Sequence, residues 1–309
     1  MRTTANGKIA TLEAHGFTAR IASVGAALAG LEFRGRPLVR PFDTDRARPV
    51  YSGALLAPWP NRVVDGRYGW QGREHQLALT EPARGHALHG LAANTDFTVT
   101  AEDASSLRLA ALLPAQEGYP FALELAVEFR LDQDGLRTLV TAANIGRDTA
   151  PLGWGSHSYL LAPGRPEDWV LTLPAAAVQE TRGERLLPGR LVPVEQFDHG
   201  ALDFRAPRAL GQTFIDHAYT RLQADSSGLF HASVTDAQGV GAQITWDEAC
   251  RWVQVHTADR PEPELDRTGL ALEPMTCPPD AFNSHQHLIA LEPGASHQAS
   301  WLIGPVQPR

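Results

Sequence analysis

The segment Phe121-Ala-Leu-Glu-Leu-Ala-Val-Glu-Phe-Arg-Leu131 alternates with a period of two over its whole length. An extended backbone therefore puts Phe121, Leu123, Leu125, Val127, Phe129 and Leu131 on one face and Glu124, Glu128 and Arg130 on the other. A helix of 3.6 residues per turn would smear that pattern around its axis, so the segment reads as a half-buried antiparallel strand. Asp132-Gln-Asp-Gly135 reads as a turn, and Leu136 to Ala142 as the returning strand. The same unit recurs at Lys8–Ala14 with Phe17–Ser23, at Phe97–Ala101 with Leu107–Leu113, and at Phe230–Thr235 with Gly241–Trp246. Arg251–Thr257 and Ala299–Ile303 complete the series. Twenty-seven Gly and 23 Pro against two Met fit a chain of many turns. Ala26-Ala-Leu-Ala29 has helical propensity, but Gly25 and Gly30 flank it and make a long helix improbable. The expected fold class is all-β, an antiparallel sandwich rather than a βαβ fold. Residues 1–309 read as one domain, with surface loops at Pro163-Gly-Arg-Pro166 and Pro188-Gly-Arg190.

A formal net charge of −8 with scattered acidic residues argues against a nucleic-acid partner, whose phosphates favour basic surfaces. A neutral carbohydrate meets no such penalty. Met1 to Arg20 carries Lys8, Glu13 and Arg20 and no apolar stretch, so no secretory signal is expected. No run approaches the roughly 18 apolar residues of a membrane span. Cys250 and Cys277 lack CxxC spacing and read as reduced thiols of a cytoplasmic protein.

Four segments set titratable residues beside aromatics and turn formers. Ala57-Pro-Trp-Pro-Asn-Arg62 is stiffened by two prolines and offers an Arg fork for ring hydroxyls, with Trp59 available to cover an apolar sugar face. It equally suits a buried turn whose Arg serves carbonyls. Arg84-Gly-His-Ala-Leu-His-Gly90 has no further ligand at zinc spacing, so His89 reads as a hydrogen-bonding imidazole or a structural one, and His86 as structural. Gly153-Trp-Gly-Ser-His-Ser-Tyr159 puts a histidine, the side chain that titrates near neutrality, in an aromatic turn. Ala271-Leu-Glu-Pro-Met-Thr-Cys-Pro-Pro-Asp280 holds Glu273 at a strand end before rigid prolines, a frame suited to a base. Taken singly, each is also an ordinary turn or strand end. His285 and His287 alternate on what reads as a strand, with His297 beyond, and read as surface residues rather than metal ligands. Trp246 and Trp252 read as packing residues, and 259–266 as a solvated loop.

Together with Phe214-Ile-Asp-His-Ala-Tyr219, and in this order along the chain, these segments resemble the aldose 1-epimerase (galactose mutarotase) family. The similarity runs from about Ile9 to Pro305. The resemblance implies a single large antiparallel β-supersandwich of the galactose mutarotase-like type with few short helices. It implies Glu273 as the general base that takes the anomeric hydroxyl proton and His157 as the general acid at the ring oxygen. His89 corresponds to a second histidine near that oxygen, Arg62 and Asp216 to residues that hold sugar hydroxyls, and Asn61 neighbours them. The implied ligand is a monosaccharide, without metal or cofactor. Where hexose enzymes of the family often have a second Gly after the first histidine, this chain has His89-Gly-Leu91, and His157 continues as Ser-Tyr-Leu160. The reaction is thus better supported than the identity of the sugar.

Opening a cyclic hemiacetal removes a proton from the C1 hydroxyl as the ring oxygen gains one, so an ionised base and a protonated acid are expected, with a bell-shaped pH dependence. A phosphorylated or sulfonated hexose would want clustered cations, for which Arg34, Arg36, Arg84, Arg182 and Arg185 are available in number. A glycoside hydrolase built on Glu273 and Asp216 would leave the histidines superfluous. A catalytically silent sugar-binding protein would need neither acid nor base.

Overall fold

The alternating segment forms the strand Leu123–Leu131, with its apolar residues buried and Glu124, Glu128 and Arg130 exposed. Asp132 donates its amide to the Gly135 carbonyl at 3.0 Å, and Leu136–Asn144 returns with Leu131 opposite Leu136. Burying each such Leu, Val or Phe is worth about 1.5–3 kcal/mol, so the alternation itself specifies which face turns inward. The computed structural model describes residues 2–308. Among them these two strands are central in a nine-stranded sheet that also takes in Ser106–Leu113, Ser296–Val306, Gly241–Trp246 and Phe230–Thr235. A five-stranded antiparallel sheet covers Arg2–Pro37.

A further sheet has eight strands. Its strands are β1 (Leu55–Leu56), β2 (Gly155–Ser156), β3 (Tyr159–Leu160), β4 (Ala175–Arg182), β5 (Leu187–Pro193), β6 (Asp216–Leu222), β7 (Trp252–His256) and β8 (Leu270–Met275). The spatial order is β5-β4-β6-β7-β8-β2-β1, with β3 also paired to β8. One apolar cluster draws on both large sheets, with Leu125, Val127 and Ile244 from the nine-stranded sheet and Val253, Val255 and Leu272 from this one. That shared core makes the molecule a β-sandwich of the large antiparallel type.

Two local expectations are corrected and one is met. Ala27–Phe33 is a strand rather than a helix, as the flanking glycines suggest, and its first five residues pack into the core between neighbouring strands. Pro188-Gly-Arg190 lies within β5 rather than in a loop; β5 is an edge strand, where a proline without an N–H is tolerated. His285 and His287 are not on a strand: both take positive φ (55° and 53°) just after the single helical turn Ala281–Ser284, and the strand begins only at Ile289. The stretch 259–266 is a largely exposed loop, as its composition suggests, but its first two residues turn into the cleft described below.

Candidate active site

In β7 the sequence Trp252-Val-Gln-Val-His256 sends Val253 and Val255 into the core, so period-2 geometry turns Gln254 and His256 to the opposite face. Register completes the face. Gln254 lies opposite Glu273 of β8, and His256 lies opposite Asp216 of β6. Gln254 Nε2 donates to Asp216 Oδ1 at 2.7 Å, and His256 Nδ1 stands 3.8 Å from the same oxygen. Beside these polar residues Ala218, Trp252 and Met275 form a small buried apolar cluster.

His157 enters from the connection between β2 and β3. Its amide donates to the Ala54 carbonyl at 3.1 Å and its carbonyl accepts from Gly53 at 2.8 Å, which pins the backbone on both sides of the ring. Its Nε2 lies 3.7 Å from Glu273 Oε1, with side chains 6% and 2% exposed. Asn61 and His89 are held reciprocally: Asn61 N–H donates to His89 Nδ1 at 3.2 Å, and His89 N–H donates to the Asn61 carbonyl at 2.9 Å. Both residues take positive φ (53° and 61°), a conformation that costs free energy and that tertiary contacts must hold. Gly90 follows because a Cβ there would run into the Ala57 carbonyl, and its own φ is +70°. With Nδ1 occupied as an acceptor, neutral His89 carries its proton on Nε2 and is a donor there. Tyr51 packs edge-on against His89 at 4.7 Å and over His157 at 6.2 Å between centroids.

Arg62 does not stand free. Glu81 receives its Nε at 2.7 Å and its NH2 at 3.0 Å, a two-point grip that fixes the guanidinium plane, and Glu81 also accepts from Arg84 at 2.8 Å. Burial would raise the Glu81 pKa, but its bonds to Arg62 and then Arg84 outweigh it and hold the carboxyl ionised below the usual range.

Burial dominates the electrostatics of Glu273 and His157. It pushes Glu273 well above the ordinary carboxyl value, with Asp216 adding to the rise and Arg62 opposing it. Burial likewise lowers His157 to about 3, with His256 contributing. His89 is depressed by burial, then by His157 and Arg62. Asp216 stays below the ordinary value because His256, Arg62 and Gln254 overcome its burial. Burial thus favours the neutral form of both side chains. The ionised-base, protonated-acid arrangement expected from the sequence therefore runs against desolvation at both residues.

Glu273, His157, Arg62, His89, Asp216 and Asn61 all line one cleft of about 270 Å³, close to the lower end for small-molecule sites. Sequence reasoning missed Gln254, His256, Tyr51 and Glu81. The first two carried a signal, polar residues at i and i+2 in an otherwise apolar strand; Tyr51 and Glu81 carried none. Trp59 is corrected: it is 3% exposed and packs on Tyr119 and Phe282 away from the cleft. His86 is structural, accepting from Asp65 N–H and reaching the Arg185 carbonyl. Of the five arginines considered for an anionic group, Arg84 lines the cleft, while Arg185 pairs with Asp65 outside it.

The family model for aldose 1-epimerase matches residues 8–303. The chain belongs to the aldose 1-epimerase family. It is 36% identical over 296 residues to the uncharacterized protein YihR of Escherichia coli K12, covering 95% of this chain and 92% of that one. The galactose mutarotase of Sus scrofa is 26% identical over 278 residues, covering 82% and 78%. Among solved structures, the GalM/aldose epimerase homologue from C. elegans superposes with TM-score 0.85 at 18% identity, covering 98% and 99% of the two chains. The galactose 1-epimerase from Lactobacillus acidophilus gives TM-score 0.81 at 18% identity, covering 97% and 94%. At that identity both speak to the fold, the galactose mutarotase-like β-sandwich. No helix among the described residues is long and apolar enough to cross a membrane.

Proposed function

We propose that this aldose 1-epimerase family member is an isomerase, acting as a single cytoplasmic domain that interconverts the α and β anomers of a free aldose. The observation that carries the reading is the buried pair His157 Nε2 and Glu273 Oε1, 3.7 Å apart on the wall of a sugar-sized cleft. Burial leaves Glu273 Oε2 and His157 Nδ1 without partners in the protein, and unpaired buried polar atoms are costly unless a ligand completes them. In ring opening, one member of the pair takes the C1 hydroxyl proton. The C1–ring oxygen bond then breaks, its electrons pass to that oxygen, and the other member protonates it. The open aldehyde rotates about C1–C2, and the reverse transfers close the ring on the other carbonyl face. Sugar hydroxyls donating to Glu273 restore solvation to its carboxylate, which favours moving the proton to His157 and sets Glu273 as base and His157 as acid. Arg62, held flat by Glu81, and Asp216, held by Gln254, grip hydroxyls, with Asn61 and the His89 Nε2–H beside them.

Pure α-anomers of several free sugars, followed to equilibrium by polarimetry, test the reading. Acceleration over buffer that disappears in Glu273→Gln is the expected result. No acceleration with any sugar overturns it, and sugar binding without acceleration supports a silent binding protein instead.

A second reading, anomerisation of a phosphorylated or sulfonated hexose, rests on Arg260. This arginine lines the cleft, its Nε is buried without a partner, and no carboxylate pairs with it among the described residues. A cation so placed suits an anionic substituent, with Arg84 also on the wall. Faster anomerisation of glucose 6-phosphate than of glucose, abolished by Arg260→Gln, would favour it.

A further inference from the structure

His287 and His297 are two of the histidines that the proposed reaction leaves unused, and both line a separate, open cleft of about 680 Å³. Each is oriented by a buried tryptophan. Trp252 Nε1–H donates to His287 Nδ1 at 2.9 Å, and Trp154 Nε1–H donates to His297 Nδ1 at 3.2 Å. Trp252 and Trp154 are 1% and 0% exposed. An indole nitrogen can only donate, so each Nδ1 must present its lone pair, and each neutral ring carries its hydrogen on Nε2. Burial lowers both histidines below the ordinary value, with Arg251 adding at His287, so the neutral form holds at pH 7.

This tautomer decides what the cleft can take. A metal-ligating histidine offers a bare ring nitrogen and donates its other N–H to a carboxylate or carbonyl; here the outward nitrogen is the protonated one. Among the described residues no three His, Cys, Asp or Glu are grouped to hold a metal. Among the described residues neither Nε2–H has an acceptor. The same cleft presents the carboxylates of Asp247 and Glu248, the hydroxyl of Thr276 and the guanidinium of Arg251. Asp247 Oδ1 receives the Ala249 amide at 3.0 Å, so its carboxylate is fixed in place. Two oriented donors sharing a cleft with an anchored carboxylate and a hydroxyl match a molecule whose groups both give and receive hydrogen bonds. Two carboxylates against one guanidinium disfavour an anion.

We propose that the cleft between His287 and His297 is a second binding site, for a neutral polyhydroxylated molecule such as a sugar or polyol. Trp252 lies on the strand that carries Gln254 and His256, and Trp154 lies three residues before His157, so both reporters adjoin the first site without lining it.

The test is ¹⁵N NMR of the histidine rings and tryptophan indoles in the intact protein, titrated with methyl β-D-glucopyranoside, a glycoside that cannot change anomer. The expected result is an Nε2–H tautomer for both histidines and a saturable shift of their Nε2 resonances. Both should persist in Glu273→Gln, so the outcome is separate from that of the anomerisation assay. His287→Ala with His297→Ala should weaken the binding about ten-fold or more, the loss expected for two neutral hydrogen bonds. An Nδ1–H tautomer, no saturable shift, or a larger response to inorganic phosphate or to Zn²⁺ than to the glycoside overturns the proposal. If the double variant does not fold, the single His287→Ala, at an exposed position, gives the same reading through the Trp252 indole resonance.

Discussion

Glu273→Gln should move activity and stability in opposite directions. The substitution keeps the shape of a side chain that is 2% exposed and removes only its capacity to ionise. On activity, loss of a positioned proton acceptor is worth roughly 10²–10⁴ in rate, or about 3–5 kcal/mol of barrier. On stability the sign follows from the pKa. Burial, with Asp216 adding, holds the folded Glu273 well above the ordinary 4.5 of the unfolded chain. A raised folded value means that the folded state binds the proton more tightly. Its contribution is full below pH 4.5 and is lost as pH rises toward the folded value, at about 1.4 kcal/mol per pH unit across that window. Glutamine has no such dependence. The variant should therefore gain on the wild type steadily as pH is raised from 4.5, by roughly 2–4 °C in Tm for each kcal/mol. The assay is differential scanning calorimetry at a series of pH values, paired with polarimetry on α-D-galactose or whichever free sugar reacts fastest. A variant that keeps full activity refutes the proton-transfer role. One whose Tm difference from wild type stays flat with pH refutes the account of a carboxyl held neutral by burial.

The pH–rate profile should be bell-shaped because the pair is active only while it holds one proton: the acid limb reports a second proton going onto the pair, near the low His157 value of about 3, and the alkaline limb reports loss of the proton from Glu273. An acid limb near 6.5 in kcat would show His157 titrating as an ordinary imidazole. Stability should fall as pH drops from 6.5, since buried neutral His157, His89 and His256 all have lowered values and the unfolded chain takes up protons first; urea midpoints at pH 7 and pH 5 measure it. Glu81→Gln should raise KM about ten-fold while changing kcat less, because it frees the Arg62 guanidinium from its two-point grip without touching the proton-transfer pair. An unchanged KM would show that Arg62 does not need the grip.

Much of the site was legible because motif residues cluster in the sequence around turns, where glycine and proline mark the backbone. His89 is readable beside Gly90, whose positive φ and contact with the Ala57 carbonyl admit no side chain. Glu273 is readable before Pro274. Gln254 and His256 were harder, because their strand looks like any other until register sets them opposite Glu273 and Asp216. Glu81 left no trace at all: its partner Arg62 is 19 residues away, and only folding brings them to 2.7 Å.

The sequence by itself determined the period-2 strands, their turns and therefore the sandwich, since alternation over five or six residues admits one inward face. It also determined which residue types the cleft has to offer. Only the tertiary structure decided in which direction Glu273 and His157 are shifted, because desolvation and the pull of Asp216, Arg62 and His256 act across strands that the chain order does not join. Tertiary contacts likewise decided that Trp59 belongs to the core and that Trp154 and Trp252 set the tautomers of His297 and His287. Those outcomes depend on what surrounds a side chain in space, and a local pattern carries no record of it.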